Sequence, residues 1–260
     1  MTEISAFVNY HVRRSERQAF HIDAGGVTGE MIAPELALTE VAVSDLRRDD
    51  IAVSFGDDSV AIVPHASRVT RFDDDRTWRE TYDLELTELL RREIGAGEVV
   101  VFDHTVRVDD PHSDRRPARN VHSDYSRDGA HKRLDDLLDA KTAAEWRTGA
   151  FGFVNVWRPV EAPINSAPLG FVRPATVAEE DWITLDLIYP DRVGQIMGLV
   201  ANPRHEWVFQ SKMTPDEVAI FNIFDSAGRP SIAHSALDRT EDPAISVARK
   251  SIESRTLVRY

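Results

Sequence analysis

His122 and Asp124, in the run Arg-Asn-Val-His-Ser-Asp-Tyr, carry the most specific chemistry in the chain. Residues i and i+2 of an extended segment project to the same side, so one imidazole nitrogen and one carboxylate oxygen can reach a single divalent cation. A second histidine from far along the sequence would complete a set of two histidines and one carboxylate. That set leaves three positions of a ferrous ion open. The spacing itself is common: with nine histidines present, His21-Ile22-Asp23 and His112-Ser113-Asp114 repeat it. His112 lies between prolines in a charged run that reads as loop, and His21 runs into Ala24-Gly25-Gly26, a turn. Only His122 is followed by an aromatic, Tyr125, and then by a helical segment with Ser126 placed to cap it.

Two later histidines compete to be the distal ligand. His234, in Ser-Ile-Ala-His-Ser-Ala-Leu, comes after an apolar strand at 218–224 and before the basic run Ala-Arg-Lys-Ser-Ile-Glu-Ser-Arg. In a jelly-roll oxygenase the distal histidine opens one late strand. An arginine on the next strand then reaches the far carboxylate of 2-oxoglutarate through a bidentate, charge-assisted pair. Arg249 stands at that place, with Arg255 as second choice on the same strand. His205, in Asn-Pro-Arg-His-Glu-Trp, is followed by nothing comparable and is the alternative ligand.

The elements around these residues are mostly strands. Residues 1–118 read as peripheral strands and a helix: strands at 6–12, 40–43, 51–55, 60–64 and 99–102, and a helix at 78–94 that ends at Gly95. Residues 119–260 carry the metal-site motifs and the barrel core. A long helix is predicted from Arg127 to Thr148, followed by strands at 151–157, 169–172, 182–188, 207–210, 218–224, 232–237 and 251–259, punctuated by prolines. One His-x-Asp ahead of so many short strands predicts a single mainly-β domain over 1–260, a double-stranded β-helix or jelly-roll barrel with flanking helices.

The composition limits the partners. At 260 residues the chain can bury a sizeable core, and a net charge of -13 argues against nucleic acid or an anionic membrane surface. Cysteine is absent, so thiolate metal sites, disulfides and a cysteine nucleophile are excluded. No apolar run approaches membrane length and the N-terminus lacks a leader pattern, so a cytoplasmic location is expected. The partner is expected to be a small-molecule substrate; oligomeric state is not legible.

Arg119 to Tyr125, Asn155-Val-Trp-Arg-Pro159, Pro168-Leu-Gly, His205-Glu-Trp, Met213-Thr-Pro-Asp-Glu217, Phe224-Asp-Ser226, Ala233-His-Ser-Ala236 and Arg249 to Arg255 occur in that order. Together they resemble the CmcJ/AsaB-type hydroxylase/desaturase family over roughly residues 115–260. The resemblance implies a non-haem Fe(II) enzyme that uses 2-oxoglutarate and molecular oxygen to hydroxylate, desaturate or cyclise a small molecule, often in natural-product biosynthesis. The chain departs from the family pattern at Leu237, where an aromatic is usual, and at Lys250, where an acidic residue is usual.

Within the pocket, Asn155 and Trp157 share one face of their strand and Arg158 takes the other. Asn155 is a candidate for approaching the co-substrate. Trp157, Arg158 and Tyr125 are candidates for contacting the substrate, each with an alternative role in packing or ion pairing. Two other classes compete with the oxygenase reading. A methyltransferase using S-adenosylmethionine would rest on the glycine loop from Asp23 to Gly29, but Pro34 and the β-rich pattern that follows do not suit it. A non-catalytic jelly-roll binding protein would have no need for Arg249 beside His122, Asp124 and His234.

Overall fold

The computed structural model describes residues 4–22, 31–72, 76–239 and 247–260. In chain order its elements are β1 (Ile4–His11), β2 (Gln18–Ile22), β3 (Met31–Ile32), β4 (Leu36–Asp45), α1 (Phe55–Asp58), β5 (Val60–Pro64), α2 (Arg79–Ile94) and β6 (Glu98–Val108). There follow β7 (His122–Ser123), α3 (Arg127–Leu137), α4 (Ala140–Trp146), β8 (Phe151–Pro159), β9 (Leu169–Val172), β10 (Trp182–Ile188) and β11 (Val193–Leu199). The chain ends with β12 (Trp207–Phe209), β13 (Glu217–Asp225), β14 (His234–Ala236) and β15 (Lys250–Arg259).

These strands form the two curled sheets of a double-stranded β-helix. One has ten strands in the order β1-β4-β12-β9-β14-β7-β11-β10-β2-β3, and the other five in the order β5-β13-β8-β15-β6. The strands from the first 118 residues occupy the outer places of both sheets. Alternation along β8 explains the two layers of core. Phe153 and Trp157 face the barrel interior with Phe171, Ala219, Phe221 and Leu257, while Val154 and Val156 face outward onto Tyr82, Leu86, Leu89 and Leu90 of α2. Leu84 of the same helix stays 56% exposed. Gly95 ends α2 in the left-handed conformation (φ 71°), its N–H bonding to the Leu90 carbonyl, as the glycine predicted.

Three local readings change. The expected strand at 51–55 is irregular chain leading into the short α1, where the Ser54 hydroxyl accepts from the Asp57 N–H. The single helix from Arg127 to Thr148 is two helices. Leu138 is extended at φ -119°, and Asp139 starts afresh by accepting from the Lys141 and Thr142 N–H groups. Ser126 caps the first helix as expected, accepting from the Gly129 N–H at 3.0 Å. β11 was not foreseen at all, because Gly194 and Gly198 interrupt its apolar alternation.

Gly198 lies opposite His122 in the ladder between β11 and β7. A Cβ there would stand 2.6 Å from the His11 ring and 2.7 Å from Leu185, both fully packed. Gly198→Ala is therefore expected to cost about 1–3 kcal/mol through overpacking. Thermal melting of the metal-free protein checks this, and an unchanged midpoint would show that His11 can move aside.

Candidate metal centre

His122 and His234 come together because β7 and β14 pair antiparallel with these two residues as direct partners. Opposed residues on neighbouring strands place their Cβ atoms about 4.5–5.5 Å apart, and the two ring centroids here lie 4.5 Å from each other. Asp124 follows at the end of β7. One ligand atom from each of His122, Asp124 and His234 falls within 4.8 Å of the others, the only such grouping among the described residues.

Each donor is held so that one atom stays available. The His122 Nδ1 lies 2.7 Å from the Asn120 carbonyl and the His234 Nδ1 lies 3.4 Å from the Ile232 carbonyl. A carbonyl oxygen only accepts, so Nδ1 carries the proton on both rings and Nε2 keeps its lone pair. This is the outer support that metal-binding histidines require. The Asp124 Oδ2 accepts from Asn155 Nδ2 at 2.8 Å and from Arg255 Nε at 3.0 Å. Its Oδ1 is left facing the His122 Nε2 at 3.5 Å.

The charges follow. Burial pushes the Asp124 carboxyl up, but the Arg255 guanidinium and then His122 outweigh that and hold it well below the usual carboxylate range. Burial, followed by the charge on His122, brings His234 down to about 3, so its imidazole is neutral at ordinary pH. A ferrous ion needs neutral imidazoles and an ionised carboxylate. The donor set fits it.

The candidates from the sequence sort into three groups. Arg249 is 4% exposed, with its guanidinium 5.2 Å above the Trp157 ring and its Nη2 donating to Ser251 Oγ at 3.0 Å. Its Nε and Nη1 have no hydrogen-bond partner among the described residues. Burial and then the Arg107 charge lower its pKa to about 9. A buried cation with two unused donors is a place for an anion. Trp157 is thus the floor beneath Arg249, where a substrate wall was expected.

Arg255 does not suit its assigned alternative role as co-substrate clamp. Besides Asp124, its guanidinium meets Asp103 at 2.7 Å, Thr105 at 3.1 Å and Glu253 at 2.7 Å. Those carboxylates outweigh the effect of burial and keep it firmly protonated. It locks the Asp124 carboxylate in place. Asn155 does the same work from β8, so it reaches Asp124 where a co-substrate contact was foreseen.

Arg158 is not brought to the site. It points to the outer face of β8, donates Nη2 to the carbonyls of His65 and Pro215 at 2.5 Å each, and lies over the Tyr82 ring. Tyr125 stays beside the centre, packed on Phe153 at 4.8 Å. Burial first and Asp124 next raise its hydroxyl to about 12, so it remains a donor.

His205 has both ring nitrogens occupied: Nδ1 pairs with the Tyr10 hydroxyl at 3.0 Å and Nε2 with Asp181 at 3.2 Å. His112 lies on an exposed turn, and both Asp23 of the first His-x-Asp copy and the glycine loop to Gly29 fall outside the described residues. The two departures from the family pattern avoid the centre. Leu237 is buried against Gly170 in a separate cluster, and Lys250 pairs with Glu161 at 2.6 Å.

A family model described as an oxidoreductase/YMDC permease-like domain matches residues 8–259. The hydroxylase/desaturase efuI of Hormonema carpetanum is 32% identical over 248 residues, covering 84% of this chain and 82% of that protein. The chain belongs to this oxidoreductase family, the hydroxylase/desaturases among the Fe(II)/2-oxoglutarate oxygenases. The alpha-ketoglutarate-dependent dioxygenase phiK of a fungal species is 28% identical and covers 98% of this chain and 95% of its own length. A solved structure titled iron and alpha-ketoglutarate-dependent endoperoxidase NvfI superposes with a TM-score of 0.88 at 22% identity, over 99% of this chain and 98% of that one. That likeness carries the fold. No helix among the described residues is long and apolar enough to cross a membrane.

Proposed function

We propose that His122, Asp124 and His234 hold the Fe(II) of this dioxygenase and that Arg249 receives the distal carboxylate of 2-oxoglutarate. The observation that carries the reading is the register of β7 against β14. It sets two imidazoles with free Nε2 atoms beside a carboxylate whose second oxygen is already tied down. The enzyme is an Fe(II)/2-oxoglutarate-dependent dioxygenase acting on a small molecule in natural-product biosynthesis, with molecular oxygen as oxidant. Bound iron with 2-oxoglutarate supplies the oxidation of an unactivated C–H bond, with release of succinate and carbon dioxide.

The chain's own residues do the positioning. Asn155 and Arg255 fix which Asp124 oxygen is presented, the two backbone carbonyls fix the imidazoles, and Arg249 on Trp157 fixes the length of the keto acid. Phe171, Phe221 and Ile223 keep water from the buried side of His234, whose ring lies edge-on to Phe221 at 4.9 Å. Hydroxylation, desaturation and ring formation share this machinery, and the substrate pose decides among them.

Anaerobic titration of the protein with Fe(II) and then 2-oxoglutarate tests the reading. A visible metal-to-ligand charge-transfer band at one equivalent of each is the expected result. Methyl transfer from S-adenosylmethionine without any iron requirement would overturn it.

A further inference from the structure

We propose that Arg107 recognises a carboxylate on the organic substrate at the open edge of the barrel. The proposal rests on the iron and 2-oxoglutarate assignment above and names the substrate class for the same site.

Arg107 lies on β6, the terminal strand of the five-stranded sheet. The ladder with β15 sets Asp103 opposite Arg255, Thr105 opposite Glu253 and Arg107 opposite Ser251, so these side chains form one inward row. The row runs from the partner of the metal carboxylate to the hydroxyl that holds Arg249. Its other charged members are already matched. Asp103, Asp124 and Glu253 share Arg255, and just past the row Asp109 takes the Arg119 Nη2 at 3.0 and 3.1 Å.

Arg107 is the exception. Its guanidinium donates from Nη1 to the Arg116 carbonyl at 2.9 Å and has no carboxylate within 4.0 Å among the described residues. Burial is the main influence lowering its pKa, opposed by Glu253 and reinforced by Arg255, with Asp124 also in range. Its charge is therefore felt close to the metal carboxylate.

The two ends of 2-oxoglutarate are accounted for without it, one at the metal and the other at Arg249. Arg249 is 4% exposed, whereas Arg107 is only half-buried on the edge strand, where a molecule arriving after the co-substrate can reach it. A planar guanidinium fork suits a carboxylate better than any neutral oxygen. At the other end of the row, Phe102 and Tyr125 meet Phe153 with centroids 5.9 and 4.8 Å away, a surface for an apolar body. The substrate class that satisfies both ends is a carboxylic acid with an aromatic or alicyclic skeleton.

The probes are 3-phenylpropanoate and its methyl ester, titrated under nitrogen into protein holding Fe(II) and saturating 2-oxoglutarate. Perturbation of the charge-transfer band reports binding. The acid is expected to bind about 10–100-fold more tightly than the ester, the worth of a hydrogen bond to a charged group. Arg107→Leu should erase that preference while the charge-transfer band still forms at saturating 2-oxoglutarate, and Arg107→Lys should restore part of it. Equal binding of acid and ester by the unaltered protein would overturn the proposal. So would an Arg107→Leu variant that keeps the full preference for the acid. Absence of the band in the unaltered protein is a separate result that brings down the iron reading and this proposal with it.

Discussion

His234→Ala is expected to abolish stoichiometric Fe(II) binding and the charge-transfer band, while His205→Ala keeps both. The contrast follows from what each imidazole already bonds. His234 spends Nδ1 on a backbone carbonyl and leaves Nε2 for the side facing His122 and Asp124, at a buried position that keeps the ring neutral. His205 spends both nitrogens, one on Tyr10 and one on Asp181, and its ring stacks on Tyr10. Removing an outer partner of a metal ligand typically costs about 10–100-fold in affinity or activity, so Asn155→Ala should fall in that range and His234→Ala should exceed it. His205→Ala should show instead as a lower melting temperature, because Trp207 donates to the same Tyr10 hydroxyl at 2.9 Å. Iron lost by His205→Ala and retained by His234→Ala would move the distal ligand to His205.

The grouping of His122, Asp124 and His234 was legible because it depends on local geometry that the sequence displays. His122 and Asp124 share a face by the two-residue period of extended chain, and an N-capping Ser126 marks where that chain stops. The order of His234 before a late basic strand pointed to the partner histidine, and the helix at 79–94 and the strands at 60–64, 169–172 and 182–188 followed from periodicity and turn residues. What was hidden depends on contacts between distant segments. Arg255 looked like a free cation because Asp103 lies 152 residues away in sequence and Asp124 lies 131 away, and only the sheet brings them together. Asn155 looked like a co-substrate contact for the same reason. Arg158 was placed on the correct face of β8, but its burial under α2 with two carbonyl acceptors needed the fold. β11 was missed although it lies directly beside β7, since two glycines removed the apolar alternation that marks a strand. The long helix split at Leu138 because Asp139 caps a new turn within a run whose composition is helical throughout.

Arg249→Leu is expected to raise the 2-oxoglutarate requirement by a large factor and leave Fe(II) binding intact. The guanidinium is not one of the three proposed metal ligands, and its one side-chain hydrogen bond among the described residues is to Ser251. Its Nε and Nη1 are buried without acceptors among the described residues, and burial with the nearby Arg107 charge depresses its pKa to about 9. Such a cation is unfavourable until an anion arrives, so binding the distal carboxylate relieves a desolvation already incurred in folding. Truncating one member of a buried charge pair costs about 2–5 kcal/mol, roughly thirtyfold to several-thousandfold in affinity. Arg249→Lys should recover little of this, because an ammonium cannot supply two parallel donors and loses the planar contact with Trp157. Iron stoichiometry measured beside the 2-oxoglutarate dependence of the charge-transfer band separates the two functions. A variant that binds 2-oxoglutarate as the parent does would remove Arg249 from the site, and one that loses iron as well would show that β15 holds the barrel together before it holds the co-substrate.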